Sequence, residues 1–107
     1  MNDFIRGYRD EEGLFVSVNG ETVQLAPSLR VINHSPSGFE CGYGGSGPAQ
    51  LALAILLMYG DKKTATALHQ DFKWEFLAKP EYFGVDSFEI EIDIPAWIEN
   101  KLKGGAS

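Results

Sequence analysis

The chain has 107 residues, and its 44% hydrophobic and 12% aromatic content suits a folded domain rather than a disordered segment. Fifteen acidic residues against nine basic ones give a net charge of −6, which argues against nucleic acid as a partner, because affinity for a phosphate backbone rests on Lys and Arg. The single cysteine, Cys41, excludes an intrachain disulfide and a cysteine-rich metal site.

The first residues contain no basic segment followed by an apolar one, so no signal peptide is expected. The longest apolar run, at 51–59, has about half the length of a membrane span. We therefore expect a cytoplasmic protein without a membrane segment. We also expect residues 1–107 to form one domain, with a flexible tail at 104–107.

Several short segments near the N-terminus have the composition of β-strands. Asn19-Gly20 stands between two of them and predicts a hairpin with a type I′ turn, because both residues tolerate the positive φ angles that this turn requires. Alternating or β-rich residues predict strands at 4–9, 14–18 and 21–25, and further short strands at 29–32 and 39–43.

A glycine-rich segment at 42–50, Gly-Tyr-Gly-Gly-Ser-Gly-Pro-Ala-Gln, precedes an uninterrupted apolar run. Pro48 suits the first turn of a helix, which predicts a helix at 48–59 with Gly47 or Ser46 as its N-cap. With Gly47 as the cap, Gln50 would fold back toward it. A helix without a polar face is buried, so this one is expected at the centre of the domain.

Two more helices and one strand are predicted after Gly60. Asp61 is a suitable N-cap for a helix that continues to about residue 78, although the alternation of 72–76 also fits a strand. Residues 87–92 alternate as a strand with one acidic face. Asp93 then suits the N-cap of a short amphipathic helix with Pro95 in its first turn.

The glycine-rich segment admits two interpretations. Glycines allow a sharp turn into a buried helix, and this structural role is the favoured one. Exposed N–H groups at a helix N-terminus can also hold an anion such as a phosphate. The spacing of Gly42, Gly44 and Gly47 matches Gly-x-Gly-x-x-Gly, but the predicted strands do not suit a dinucleotide-binding fold. The candidate ligand-binding residues are Gly44, Gly45, Ser46, Gly47 and Gln50.

The candidate partner-binding residues are Trp74, Glu89 and Glu91. In a helix, Trp74 would project away from the apolar stripe of Phe72 and Phe76, and an exposed Trp is a frequent contact residue in interfaces. In a strand, Glu89 and Glu91 share one face. That face is either a solvated edge or a contact for a basic partner, and the first interpretation is favoured.

Three further residues could in principle carry chemistry. Cys41 with His34 or His69 could form a nucleophile and its base, but no neighbouring basic residue would stabilise a thiolate, so a buried and inert Cys41 is favoured. The two histidines show no metal-ligand spacing. We expect no metal and no cofactor. An enzyme is the third interpretation, after the two binding functions, since no nucleophile, base and orienting group can be named together.

Three stretches resemble a family of small uncharacterised proteins from bacteria, plasmids and bacteriophages. They are residues 42–52, His69-Gln70 with Phe72-Lys73, and the Ile-Pro-Ala-Trp-Ile element at 94–98. The family is classed as a domain of unknown function, so the resemblance implies no catalytic or binding residues. Its setting implies an accessory or counter-defence role.

Together these features predict an α+β fold, with a small antiparallel sheet packed on a buried central helix and a second helix. The predicted function is a non-catalytic interaction module that binds a protein through an acidic face and an exposed aromatic side chain. The alternative is a binder of a small anionic ligand, such as a nucleotide, at the glycine-rich segment. The oligomeric state stays open.

Overall fold

The computed structural model describes residues 1–104 and has one antiparallel sheet together with four α-helices in this part of the chain. This architecture confirms the predicted α+β class. The strands are β1 (Asp3–Asp10), β2 (Gly13–Val18), β3 (Glu21–Thr22) and β4 (Ser87–Ile92), and the helices are α1 (Leu25–Val31), α2 (Ser46–Leu57), α3 (Lys62–Phe72) and α4 (Ile94–Leu102).

The sheet has the strand order β3-β2-β1-β4, which places the C-terminal strand beside the N-terminal one. Ile5 pairs with Val18 on one side and with Ile90 on the other, and all three side chains are buried. Along each strand, the residues next to these three point to the opposite, exposed face. This alternation of burial is the pattern of a sheet with one core face and one solvated face.

The Asn19-Gly20 hairpin is confirmed. Asn19 has φ +52° and Gly20 has φ +85°, as a type I′ turn requires. The Asn19 side chain also accepts a hydrogen bond from the Phe4 N–H at 2.8 Å. The strand that follows is shorter than predicted and ends at Thr22.

Two of the predicted short strands are wrong. Residues 29–32 do not form a strand, because α1 covers Leu25–Val31. Residues 39–43 contain only a single β-bridge, between Leu14 and Phe39. Short apolar runs do not distinguish a strand from a helical turn. Here Pro27 is compatible with the first turn of α1, and the helix packs on α2.

The central helix is confirmed as the core of the molecule. Leu51, Leu53, Ile55 and Leu56 in α2 are all at most 1% exposed. The predicted N-cap is wrong by one or two residues, since Gly45 occupies that position in an extended conformation and its carbonyl accepts from the Ala49 N–H. Gln50 therefore lies beyond the N3 position and does not fold back onto the cap.

The helical interpretation of residues 62–78 is confirmed. Asp61 caps α3 by accepting a hydrogen bond from the Thr64 N–H. The helix ends at Phe72 and continues as a π-helical turn, Lys73–Leu77, in which the Ala78 N–H donates to the Lys73 carbonyl at 2.9 Å. A 3₁₀ turn, Pro80–Tyr82, follows.

The C-terminal elements also match their predictions. Asp93 caps α4 by accepting a hydrogen bond from the Ala96 N–H at 3.0 Å. Trp97 of α4 meets the Phe72 and Phe76 rings edge-on, with centroid distances of 5.2 and 5.8 Å. Of the predicted tail at 104–107, Gly104 still donates a hydrogen bond to the Lys101 carbonyl. Residues 105–107 lie outside the described part of the chain.

Candidate functional site

The glycine-rich segment is packed tightly against its surroundings. A Cβ atom on Gly42 would overlap the backbone of Phe83, and one on Gly44 would overlap the Trp74 ring. One on Gly45 would overlap the Tyr43 ring. A side chain at Gly42 would require the main chain to move, whereas a side chain at Gly44 or Gly45 would displace an aromatic ring. This is a more specific structural role than the sharp turn expected from the sequence.

The three aromatic side chains at this segment are exposed. Tyr43 belongs to the segment, and Trp74 and Phe83 lie against it. Tyr43 is 40% exposed, Trp74 61% and Phe83 65%. The Tyr43 and Phe83 rings meet edge to face, with 5.9 Å between their centroids. We call these three side chains the aromatic surface. The predicted exposure of Trp74 is confirmed, and the structure groups it with two aromatic residues that sequence reasoning had not singled out.

A second pair of exposed aromatic rings lies on the outer face of the sheet. Tyr8 and Phe15 are direct cross-strand partners, and their rings stack with centroids 5.4 Å apart. Cross-strand aromatic pairs stabilise antiparallel sheets. The exposure of Tyr8 and Phe15 therefore has a structural explanation that the aromatic surface lacks.

Glu89 and Glu91 lie on the same outer face of the sheet, with the buried Ile90 between them. Glu89 forms an ion pair with Arg6, and Glu91 accepts a hydrogen bond from the Asn2 amide at 2.7 Å. Trp74 belongs to the helical layer, which packs on the other face. The structure therefore does not bring the three predicted partner-binding residues together into one surface.

Gln50 is completely buried, and its side-chain amide is fully used within the protein. Its Oε1 accepts from the N–H groups of His34 and Ser35 at 2.7 and 2.9 Å. Its Nε2 donates to the Ser28 hydroxyl and to the Ile32 carbonyl at 2.8 and 3.0 Å. Gln50 thus joins α2 to α1 and to the loop after it, and no hydrogen-bonding capacity is left for a ligand.

Ser46 and Gly47 face a cavity of about 550 Å³ between β2 and residues 35–47. A cavity of this volume can hold a small molecule. Glu12 and Glu40 also line it, and Glu40 forms an ion pair with Arg9. The N-terminus of α2 favours an anion there, whereas the two carboxylates disfavour one.

The structure separates Cys41 from the histidines. Cys41 is fully buried, its thiol donates to the Leu77 carbonyl, and burial raises its pKa to about 12. Its interpretation as an inert core residue thus fits its surroundings. The histidines pair with each other instead, and the Nε2 atoms of His34 and His69 are 3.0 Å apart. Residues 1–104 contain no group of three or more His, Cys, Asp or Glu side chains that could hold a metal ion.

The sequence by itself assigned no role to Lys73. The structure shows it to be 6% exposed, with its ammonium donating to the Gly44 carbonyl at 3.1 Å. The Nζ atom also lies 4.3 Å from the centre of the Trp74 ring, a cation–π distance. The available sequence signal was the four-residue spacing from His69 to Lys73, which places both side chains along one side of a helix.

Residues 5–100 match a family of unknown function, DUF6166. The chain belongs to DUF6166. Neither a curated protein nor a solved structure matches it. Within residues 1–104, no helix is both long and apolar enough to span a membrane.

The His34–His69 pair predicts a pH dependence of stability for this DUF6166 protein. Burial, then the proximity of His69 and of Lys73, lowers the pKa of His34 from its ordinary value of 6.5. The unfolded chain therefore binds more protons than the folded one below about pH 6.5, and the free energy of unfolding decreases as the pH falls through that value. Above it, the stabilisation is fully present.

Urea unfolding at about pH 7.5 and pH 5.5 measures this effect. We expect His34→Gln to lose less stability between the two values than the wild type does. Asp61, Asp93 and Glu75 also have lowered pKa values, but these carboxylates titrate below this range. An equal loss in both proteins would contradict the assignment to His34.

Proposed function

We propose that this protein is a non-catalytic interaction module that binds a protein partner through the aromatic surface of Tyr43, Trp74 and Phe83. The observation that carries the proposal is the grouping of three exposed aromatic side chains around one glycine-rich segment. Exposed aromatic side chains gathered at one segment favour an interaction site, and Trp and Tyr contribute a large share of binding energy in interfaces.

The packing beneath the aromatic surface supports this function. The Trp74 ring lies against Gly44, and the backbone and Cβ of Phe83 lie against Gly42, where an added side chain would require the main chain to move. Tyr43 is further oriented by its edge-to-face contact with Phe83. Side chains held in place before binding lose less conformational entropy on association, which increases affinity.

The acidic residues are proposed as a separate contact. Glu89 is partly neutralised by Arg6, whereas Glu91 accepts a hydrogen bond from the neutral Asn2 amide. A basic partner surface would complement this face of the sheet.

We also propose a cytoplasmic location and an accessory role in a bacteriophage or mobile element. Both rest on the sequence analysis alone.

The second candidate is a small anionic ligand, such as a nucleotide, bound at the N-terminus of α2. The cavity beside Ser46 and Gly47 favours it. We place it second because Glu12 and Glu40 line the same cavity, and because Gln50 has no free hydrogen-bonding group. A rise in melting temperature with a nucleotide would support this candidate.

Trp74→Ala tests the first proposal. We expect it to reduce the capture of a partner protein from a host lysate by about tenfold or more, as is usual for a central Trp of an interface. The measurement is a pulldown with the immobilised full chain, with the bound protein identified by mass spectrometry and its affinity then determined for each variant.

Leu102→Ala is the control, because Leu102 of α4 is 61% exposed but belongs neither to the aromatic surface nor to the sheet face of Glu89 and Glu91. It should leave capture unchanged. Equal capture by the Trp74→Ala variant and the wild type would refute the proposed site. Charge reversal at Glu89 and Glu91 tests the acidic face of the sheet separately. It should weaken capture only if the partner contacts that face.

A further inference from the structure

Strand β4 is one edge of the sheet, and its backbone is open on that side. Its register with β1, and the 2.8 Å hydrogen bond from the Arg9 N–H to the Asp86 carbonyl, show which of its residues bond to β1. Because every second residue of an antiparallel strand bonds to the same neighbour, the backbone groups of the residues between point away from β1. These residues are Ser87, Glu89 and Glu91, and all three are exposed. Within residues 1–104, no further strand pairs with their N–H and C=O groups.

The core face of the sheet is also incomplete at this edge. Phe88 and Ile92 of β4 pack against the core but are only partly buried, whereas Val16 and Val18 of β2 are 3% and 2% exposed. The difference arises because β2 has a strand on each side and β4 has one on a single side. A strand added to β4 would cover Phe88 and Ile92 with its own inward-facing side chains.

Strand β4 lacks most of the features that prevent an edge strand from pairing. The segment Ser87–Ile92 contains no proline and no inward-facing charge, and its register with β1 runs through all six residues without a bulge. The opposite edge of the sheet is different, since β3 has only two residues. What remains on β4 as protection is the pair of glutamates on the outer face, Glu89 and Glu91.

These two glutamates disfavour a second copy of this chain as the added strand. Side chains directly opposite each other in an antiparallel pair lie on the same face. Any register that pairs most of one β4 with another β4 places Glu89 opposite either Glu89 or Glu91 of the second copy. Like charges in direct opposition are destabilising, whereas Lys or Arg at the opposite positions would form cross-strand ion pairs.

Both carboxylates retain an oxygen atom for such ion pairs. Arg6 contacts Glu89, and Asn2 contacts Glu91, in each case through the Oε2 atom. The Oε1 atom of each carboxylate has no hydrogen-bond partner among residues 1–104. Backbone groups, half-covered apolar side chains and carboxylate oxygens thus lie along the same edge.

We propose that the open edge of β4 binds an extended segment of another protein in which Lys or Arg alternates with apolar residues. The segment adds to the sheet as an antiparallel strand, and its main chain bonds to Ser87, Glu89 and Glu91. Its basic side chains meet the two glutamates, and its apolar side chains cover Phe88 and Ile92. This mode of binding rests on the proposed contact of the acidic residues with a basic partner, but it does not depend on the aromatic surface.

A labelled peptide in which lysine and valine alternate, with the same six-residue length as β4, is the probe. We expect saturable binding to the full chain in fluorescence anisotropy, with a dissociation constant below about 1 mM. NMR of the same complex should show shifts of the amides of Ser87, Glu89 and Glu91. No saturable binding, or shifts only at other residues, would overturn the proposal.

Two N-methylated forms of this peptide distinguish strand addition from a contact between charges alone. Both have the same charge and composition. Methyl groups on the lysine amides remove the donors that face β4, whereas methyl groups on the valine amides lie on the far side of the added strand. We expect the first form to bind at least about tenfold more weakly than the second. Equal binding of the two forms would overturn strand addition and leave the acidic contact standing.

The double variant Glu89→Gln, Glu91→Gln tests the choice of a basic segment. We expect it to bind the peptide about tenfold more weakly than the wild type, because two cross-strand ion pairs are lost. The matched control is Glu11→Gln, Glu12→Gln, which removes the same charge from the exposed turn between β1 and β2 and should bind as the wild type does. Equal weakening in both double variants would overturn the assignment to β4.

Two further measurements separate this proposal from its neighbours. Trp74→Ala should bind the peptide as the wild type does, so a failure of the aromatic surface in the pulldown would leave strand addition intact. Sedimentation of the wild type should show a monomer. A dimer that the alternating peptide dissociates would show that a second copy occupies the edge of β4, contrary to the proposal.

Discussion

Replacement of Gln50 by leucine is expected to destabilise the protein by about 3–5 kcal/mol. The buried amide makes four hydrogen bonds, and leucine would remove all four, although the Ser28 hydroxyl keeps its bond to the Leu25 carbonyl. The partner groups belong to α1 and to the loop that leads to the glycine-rich segment. A buried polar group that loses its partner retains the full penalty of its desolvation.

Urea unfolding followed by circular dichroism measures the loss of stability from Gln50→Leu. Gln24→Leu is the matched control, because Gln24 is exposed and its side chain makes no capping hydrogen bond. It should change the free energy of unfolding by less than about 0.5 kcal/mol. A loss below about 1 kcal/mol for Gln50→Leu would show that its partners find other hydrogen bonds, contrary to this prediction.

Gly42→Ala is expected to destabilise the protein by about 2–4 kcal/mol. Gly42 has φ +98°, a conformation that is unfavourable for alanine, and the added Cβ would overlap the backbone of Phe83. Relief of that overlap requires movement of the main chain, because no flexible side chain can yield. The same displacement would move Phe83 away from Tyr43, so the aromatic surface should also change.

Gly84→Ala separates the two causes. Gly84 also has a positive φ, +71°, but a Cβ there would meet no atom of residues 1–104 within 4 Å. This variant should lose only about 1–2 kcal/mol, the cost of the backbone conformation alone. Thermal and urea unfolding of both variants give the difference. Equal losses at Gly42 and Gly84 would contradict the close packing of the glycine-rich segment on residues 80–83.

Features that depend on neighbours in sequence were predicted well. Asn19-Gly20 specified its turn, because few other residues accept two consecutive positive φ angles. Asp61 and Asp93 specified the starts of α3 and α4, because a cap binds an N–H group only three residues away. The exposure of Trp74 followed from helical periodicity alone.

Features that depend on distant residues were missed or misread. Gln50 was interpreted as part of a helix cap, but its partners Ser28 and His34 are 22 and 16 residues away in sequence. Residues 29–32 were read as a strand because their apolar side chains suit either structure until a packing partner is known. The grouping of Phe83 with Tyr43 likewise required the folded chain.

The sequence by itself determined the α+β class, the uncharged central helix and the position of the glycine-rich segment before it, because these follow from local periodicity and backbone preference. Only the tertiary structure decided what the glycines do. They allow Trp74 and Phe83, from two distant segments, to lie against the backbone, and they leave the Gly44 carbonyl beside a buried Lys73. Such contacts join residues far apart in sequence, so no local pattern specifies them.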